Sequence, residues 1–441
     1  MIKKLIKKLI KKLIKKILIT DYITSQILMK QKFLYKIPSN LSQYDYHHNN
    51  HIIKTVAKII NKYMIYNEVI VVAEMQSGKT DIMKRLIYII NKYNDKIADI
   101  DVTISRNNIY VILCASSINL KNQLKDKLSE IKTHIYHLND IITFIKKSYE
   151  YRDLFESMSN NSLIIFDESH CDAEKNQILD KFRTLLEIYA NRNNTKYYKL
   201  CCSATPYEQV LSKYPKIIMK PGKNYYGICD MFGIDIDIDI YIDIDIDIDH
   251  SKLSSSINSS SQIVFQSKNL SKYKECVKLF DEIKICNKYY IFRLPCDKKN
   301  EDKIMLNLEN QFKKHGYKID SYIYDMNYTS NINQLILSKP FKPTLIYLKD
   351  KLRMGEHLDT KYVYMVHDDP NNMYTHTTAQ SLIGRCCGYN KKKHHTLIYC
   401  DYDKAYSHYQ WIIHDYDINY IPYHSKYINK LTGEIKKKCI Y

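Results

Sequence analysis

The apolar run Val69-Ile70-Val71-Val72 breaks into Ala73-Glu74-Met75-Gln76-Ser77-Gly78-Lys79-Thr80, and a helix-period pattern follows from Asp81 through Ile90. A short buried strand, a Gly-Lys-Thr turn and a helix, in that order, confine this part of the chain to a strand–loop–helix unit. That order is what a triphosphate site needs. The turn residues Gln76, Ser77 and Gly78, with the helix start, would aim backbone N–H groups at phosphate oxygens, where the helix dipole favours negative charge. Lys79 would reach the β- and γ-phosphates, and the Thr80 hydroxyl would ligate Mg²⁺. Ala73 stands where the general pattern has its first glycine, so this is a variant of that pattern.

A second apolar run, Leu163-Ile164-Ile165-Phe166, leads straight into Asp167-Glu168-Ser169-His170. Two adjacent carboxylates at the end of a buried strand are costly unless they face a cation or a reaction. In a phosphate-loop nucleotidase Asp167 would hold Mg²⁺ through its water shell and Glu168 would polarise the attacking water. The structural alternative is an acidic turn capping a helix. A third element, Leu200-Cys201-Cys202-Ser203-Ala204-Thr205-Pro206, ends a strand-like run in small hydroxyl residues. Ser203 and Thr205 can link such a site to a neighbouring surface by hydrogen bonds.

Taken in order, the three elements resemble the superfamily 2 helicases, the DEAD/DEAH-like group, and more closely their relatives in large DNA viruses and phages. Val111-Ile112-Leu113-Cys114-Ala115-Ser116-Ser117, followed by Leu120 and Gln123, is similar to the family's strand and nucleic-acid-contacting loop, which assigns Ser116 to the track. Thr344-Leu345-Ile346-Tyr347-Leu348, with Lys351-Leu352-Arg353-Met354-Gly355-Glu356, resembles the fifth motif. The resemblance sends Arg353 toward nucleic acid and the Gly355 loop toward the nucleotide. Gln380-Ser381-Leu382-Ile383-Gly384-Arg385-Cys386-Cys387-Gly388-Tyr389 resembles the sixth motif, in which Gln380 and Arg385 are catalytic and Arg385 is the arginine finger. A guanidinium from a facing domain can stabilise charge building on a transferred phosphoryl group.

Two departures stand out. Gly388 occupies the position of the family's second arginine, and Gly384 lies four residues after Gln380 rather than three. Arg385 then works alone, or with a nearby cation such as Lys391. For the glutamine that reads adenine in the family, the candidates are Gln43 and His51, so the preference for ATP rests on the resemblance.

Strand-like runs alternating with helical patterns in both halves argue for α/β domains with parallel sheets. The resemblance makes them two tandem RecA-like domains with the ATP site in the cleft between them. The expected division is a leader over 1–40, a nucleotide-binding domain over 41–222, a connector over 223–262, a second domain over 263–410 and a basic tail over 411–441. Tyr289-Tyr290-Ile291-Phe292-Arg293 falls in the second domain. Of the formal charge of +19, the leader carries +10 from 11 lysines against Asp21, leaving +9 for the rest. A modestly basic body is compatible with sequence-independent contacts to DNA or RNA phosphates.

The leader repeats Lys-Lys-Leu-Ile three times, which on a helix puts lysines on one half of the circumference and apolar residues on the other. It fits an expanded DNA repeat, an arm on an anionic membrane or nucleic acid, or loosely a presequence without arginine. The Ile-Asp alternation from Ile234 to Asp249, followed by the polar stretch Ser254–Gln262, reads as an expanded repeat in a tolerant connector, with cation binding by the Asp row as the alternative. The 12 cysteines include no Cys-x-x-Cys pair, so reduced thiols are expected rather than a zinc ribbon or disulfide framework. No uninterrupted apolar run reaches the length of a membrane span, and a soluble intracellular protein is expected, in host cytoplasm or virus factory if the source is viral.

The function expected is an ATP-dependent helicase or translocase using ATP and Mg²⁺, with nucleic-acid-stimulated hydrolysis. The alternative is a nucleic-acid-binding ATPase switch or scaffold with weak or no turnover.

Overall fold

A computed structural model of the chain describes residues 50–98, 102–114, 118–131, 133–168, 178–207, 209–232, 263–295, 297–325, 327–328, 331–349, 358–369, 375–389, 395–422, 425–428 and 435–438. Its frame is two six-stranded sheets, each wholly parallel. The first is built from β1 (Glu68–Ala73), β2 (Ile109–Leu113), β3 (His134–His137), β4 (Leu163–Asp167), β5 (Tyr198–Ser203) and β6 (Lys216–Met219), in the spatial order β3-β2-β4-β5-β1-β6. A short β7 (Tyr225–Tyr226) follows. The second sheet uses β8 (Ile263–Gln266), β9 (Tyr289–Arg293), β10 (Asp320–Tyr324), β11 (Thr344–Leu348), β12 (Val363–His367) and, after a short β13 (Gly388–Tyr389), β14 (Leu397–Cys400). Its order is β10-β11-β9-β12-β14-β8.

Parallel strands covered on both faces are mostly apolar, which is why β1, β4, β9 and β11 contain unbroken apolar runs in the sequence. In β1 the alternation is physical rather than chemical. Val69, Val71 and Ala73 enter one core layer, and Ile70 and Val72 enter the other. Helices over Asn50–Tyr63 and Lys79–Ala98 contribute Ile52, Val56, Ile59, Ile82 and Leu86 to the first layer. The second sheet repeats this arrangement, with Ile291 on one face and Tyr290 and Phe292 on the other.

One core layer spans the two units. Met75 and Ala204, from loops of the first sheet, lie in the same cluster as Ile291, Ile346, Ala379, Ile383 and Cys386. A second bridge comes from the Tyr402–Ile413 helix, which places Ala405 in that cluster and Trp411 in a core layer of the first sheet. The expected tail at 411 therefore begins inside a helix, and Trp411 and Tyr416 are buried. The expected connector is also shorter than 223–262, because β7 and an Ile228–Phe232 helix bury Tyr225, Tyr226, Ile228 and Met231. The Lys-rich leader and the Ile-Asp repeat lie outside the described residues. Among the described residues no helix is long and apolar enough to cross a membrane, and the nine described cysteines are free thiols.

Candidate functional site

The order β4-β5-β1 puts three strand ends side by side, with Asp167 opposite Cys202 and Val72 opposite Ser203. The loops that leave these ends are the Gly-Lys-Thr turn, the acidic pair and Ser-Ala-Thr. Stretches far apart in the sequence thus share one sheet edge, the edge where open parallel sheets receive ligands.

The loop after β1 is held in an uncommon shape. Gln76 has φ 58° and Gly78 φ 114°, both in the left-handed region. Ser77 turns back on Glu74, its N–H and hydroxyl both donating to the Glu74 carbonyl at 3.2 and 2.6 Å. A Cβ at Gly78 would sit 3.0 Å from Ile52 Cδ1, so both space and φ call for glycine. Lys79 begins the helix, and its ammonium lies 3.6 Å from the Glu168 carboxylate, with both side chains mostly buried. Thr80 follows, half-buried.

Asp167 ends β4 and accepts the Glu168 N–H at 3.1 Å. Burial, and then the neighbouring Glu168 charge, push the Asp167 carboxyl up to about 7 despite the pull of Lys79. Glu168 itself has φ 54°, a backbone state costing a non-glycine residue about 1–2 kcal/mol. The turn at Glu168 is what brings its side chain back toward Lys79. A third carboxyl belongs to the loop after β1 itself. Glu74 is pushed up to about 7, first by burial and then by Asp230, whose carboxylate accepts the Gly227 N–H at 2.8 Å.

The Thr375–Gln380 helix of the second unit reaches into this edge. The Gln380 amide donates to the Thr205 hydroxyl at 2.8 Å and lies 3.4 Å from Glu168 Oε2. Ser203 accepts the Thr205 N–H at 3.0 Å, fixing the loop that presents Thr205. The four-residue spacing from Gln380 to Gly384 has a local cause. Ser381, at φ −75° and ψ −140°, interrupts the helix before a short one over Leu382–Cys386. A Cβ at Gly384 would lie 2.3 Å from the Ala379 carbonyl and 3.2 Å from Met75 Cγ, so the second unit packs against the Gly-Lys-Thr loop through bare backbone.

Arg385 is buried, and its Nε and Nη2 donate to the Gln380 carbonyl at 3.1 and 2.7 Å. In this arrangement its guanidinium braces the Ser381 break. Gly388 has φ 136° and pairs with Tyr226 in an antiparallel β7–β13 ribbon. An arginine there would be strained.

Of the remaining expected residues, Ser116, Arg353 and Gly355 lie outside the described residues, as do Ser169, His170, Gln43 and Lys391. His51 is described. Its Nε2 lies 3.0 Å from the Tyr389 hydroxyl. Sequence reasoning did not single out Tyr225, Tyr389, Glu74 or Asp230, all of which touch the loop or its supports. It also missed the buried pair of Arg293 and Asp368, at 2.7 Å, whose Asp368 also accepts the Leu382 N–H at 3.3 Å. The one available signal for Asp368 was an acid directly after an apolar strand, as at Asp167.

The arrangement gathers a tight backbone turn, a lysine, a half-buried and a buried carboxyl and a glutamine from a facing unit at one sheet edge. The chain is 55% identical over 413 residues to the "Uncharacterized protein L594" of Acanthamoeba polyphaga mimivirus, a match covering 94% of this chain and 100% of that protein. No family model matches it.

Proposed function

We propose that this chain, which belongs to the same family as the mimivirus protein L594, is an ATP-dependent helicase or translocase of the superfamily 2 kind, built from two RecA-like units with its nucleotide cleft between them. The observation that carries the reading is the convergence at Glu168. Lys79 from the first motif lies 3.6 Å from it, and Gln380 from the sixth motif lies 3.4 Å from it while bonding Thr205 of the third. Four stretches matched to the family in sequence order are thus linked through Glu168 and Gln380.

The residues present fit a bound divalent cation. Asp167 is a half-buried oxygen donor raised to about 7, so a cation replacing its proton would offset the cost of desolvating its charge. Bound Mg²⁺ would supply charge neutralisation on the phosphates, held by Asp167 and the Thr80 hydroxyl.

The chain's own groups divide the remaining work. The Gln76–Gly78 turn presents backbone N–H groups to phosphate oxygens. Lys79 exchanges its Glu168 partner for a phosphate, which frees Glu168 to orient a water in line with the scissile bond. Gln380 senses Glu168 and Thr205 together, so the state of the first unit is felt in the second. Arg385 would have to leave the Gln380 carbonyl to serve as the arginine finger. Repeated closing and opening of the units would move a strand of DNA or RNA bound across both.

The alternative reading, a nucleic-acid-binding switch with weak or no turnover, is favoured by a different observation, the engagement of Arg385 with Gln380 beside a glycine that replaces the second arginine. ATPase rates with and without single-stranded DNA, duplex DNA and RNA separate the two. Polymer-stimulated turnover, lost in Lys79→Ala and Glu168→Gln, supports the motor. Tight ATP binding with no turnover on any polymer would remove it in favour of the switch.

A further inference from the structure

The β7–β13 ribbon presses two phenols onto the Gly-Lys-Thr loop. The Tyr225 hydroxyl donates to the Met75 carbonyl at 2.5 Å. The Tyr389 hydroxyl lies 3.1 Å from the Ser77 carbonyl, 3.0 Å from His51 Nε2 and 3.2 Å from the Gly222 N–H that donates to it. The two rings meet edge-on at 5.5 Å. A phenol has one proton and two lone pairs. With one lone pair taken by Gly222 N–H, every contact is satisfied in one way only. Tyr389 donates to Ser77, and His51 donates from Nε2 to Tyr389.

This junction ties together four pieces of chain: the loop at Ser77, the start of the Asn50–Tyr63 helix at His51, the turn at Gly222 before β7, and the end of the sixth-motif segment at Tyr389. Ser77 is the residue whose carbonyl must point away from the cleft if the following N–H groups are to point into it. Gly388 is what aims the ribbon, because its φ of 136° sets the antiparallel pairing with Tyr226.

Resting on the nucleotide-binding reading above, we infer that Tyr389 is a positioning residue for the phosphate loop. It carries the link between the second unit and the loop through Ser77 and His51, one residue after Gly388, where the resembled family has an arginine. Restoring that arginine would break the link rather than improve hydrolysis.

The test is nucleotide binding and turnover, measured separately, in the full chain. Wild type and Lys79→Ala come first, with an ATP analogue that is not hydrolysed as the binding probe. If wild type binds no analogue, or Lys79→Ala binds equally well, the nucleotide reading itself fails. Given that control, Tyr389→Phe keeps the ring against Tyr225 and removes only the hydroxyl. It is expected to weaken analogue binding about tenfold, the scale of one lost hydrogen bond, with turnover at saturation reduced less. His51→Ala is expected to weaken binding similarly, His51→Gln to restore much of it because an amide N–H can donate in place of Nε2, and the Tyr389→Phe/His51→Ala double variant to lose little more than either alone. Gly388→Arg is expected to bind and turn over less than wild type. Unchanged binding in Tyr389→Phe, additive losses in the double variant, or a gain of activity in Gly388→Arg would each overturn the proposal. Circular dichroism and melting temperature of Tyr389→Phe, expected within a few degrees of wild type, exclude general unfolding as the cause.

Discussion

The Gln380 amide donates to the Thr205 hydroxyl at 2.8 Å, joining a helix of the second unit to the loop that ends β5 of the first. Both residues are buried, so the bond is shielded from water and its loss leaves a polar atom without a replacement partner. Gln380→Ala should therefore leave ATP binding on the first unit within about threefold of wild type while lowering polymer-stimulated turnover at least tenfold, a loss of about 1.4 kcal/mol. Steady-state ATPase assays and analogue binding, run in parallel, check this. Binding lost in step with turnover would assign Gln380 to the loop rather than to the link between units.

Lys79 and Glu168 form an ion pair at 3.6 Å, but their substitutions should behave differently. On the proposed function, Lys79→Ala removes the cation that would meet phosphate and should weaken triphosphate binding by at least about tenfold. Glu168→Gln keeps the hydrogen-bonding shape and removes the charge that would orient water, so binding should persist while turnover falls by about 10² or more. Glu168→Gln that retains wild-type turnover would show that Glu168 is not the water-orienting group.

Stability should depend on pH through two raised carboxyls. Asp167 and Glu74 are each pushed up to about 7 in the folded chain by burial and a neighbouring acid, against unfolded values of roughly 4. The folded state then holds protons that the unfolded state has released. Their contribution to stability is fully present below about pH 4 and is lost as pH rises through about 7. In metal-free and nucleotide-free protein, Glu74→Gln and Asp167→Asn should each flatten the fall in melting temperature over that window. A fall as steep as wild type in both variants would place the titration elsewhere.

The parts legible in the sequence are those whose chemistry is local. Strands buried on both faces, such as Val69–Val72, Leu163–Phe166 and Leu345–Leu348, are long apolar runs because every residue faces a core. Gly78, Lys79, Asp167 and Glu168 follow such runs directly, so their placement at one sheet edge needed only the strand order. Tyr389, Tyr225 and Glu74 were not legible, because nothing local distinguishes a phenol that meets a carbonyl 150 residues away, as Tyr225 meets Met75, from one on a surface. With 41 tyrosines in the chain, composition hides them further. The connector and tail were read as too long for a related reason. Short elements such as β7, and a helix whose Trp411 packs on the other unit, show no period of their own.

At the far end of the first sheet, the Lys199 ammonium lies 2.6 Å from Glu68, with both side chains under a tenth exposed. The Cys201 thiol donates to the same carboxylate at 3.8 Å. Lys199→Met would leave Glu68 buried without its cation and should cost about 3–5 kcal/mol, whereas replacing both residues with apolar ones of similar volume should recover most of that loss. Urea unfolding of the single and double variants measures it. A single variant within 1 kcal/mol of wild type, on the order of an exposed pair, would mean that water reaches Glu68.

Trp411 is the chain's only tryptophan and is fully buried between the units. It stacks on Tyr207 at 4.7 Å, meets Tyr416 edge-on at 5.1 Å and donates its indole N–H to the Asp417 carbonyl at 2.9 Å. Tyr207 comes two residues after Thr205, and its hydroxyl lies 3.2 Å from His408 Nδ1 on the same helix as Trp411. Any movement of the Thr205 loop relative to that helix must slide this stack, so intrinsic fluorescence reports directly on the seam between the units. Buried indole emission should be blue-shifted in the free protein, and binding of an ATP analogue should change its intensity or position. At the same analogue concentration the change should be smaller in Lys79→Ala, for which weaker binding is expected, and reduced in Gln380→Ala, in which the bond from the second unit to the Thr205 loop is lost. Tyr207→Ala should shift the emission to the red and cost about 3–5 kcal/mol, as expected for a truncated buried aromatic. Emission that stays fixed on saturation with analogue, in a protein shown to bind it, would mean that analogue binding leaves the seam between the two units unmoved, against the proposed closing and opening.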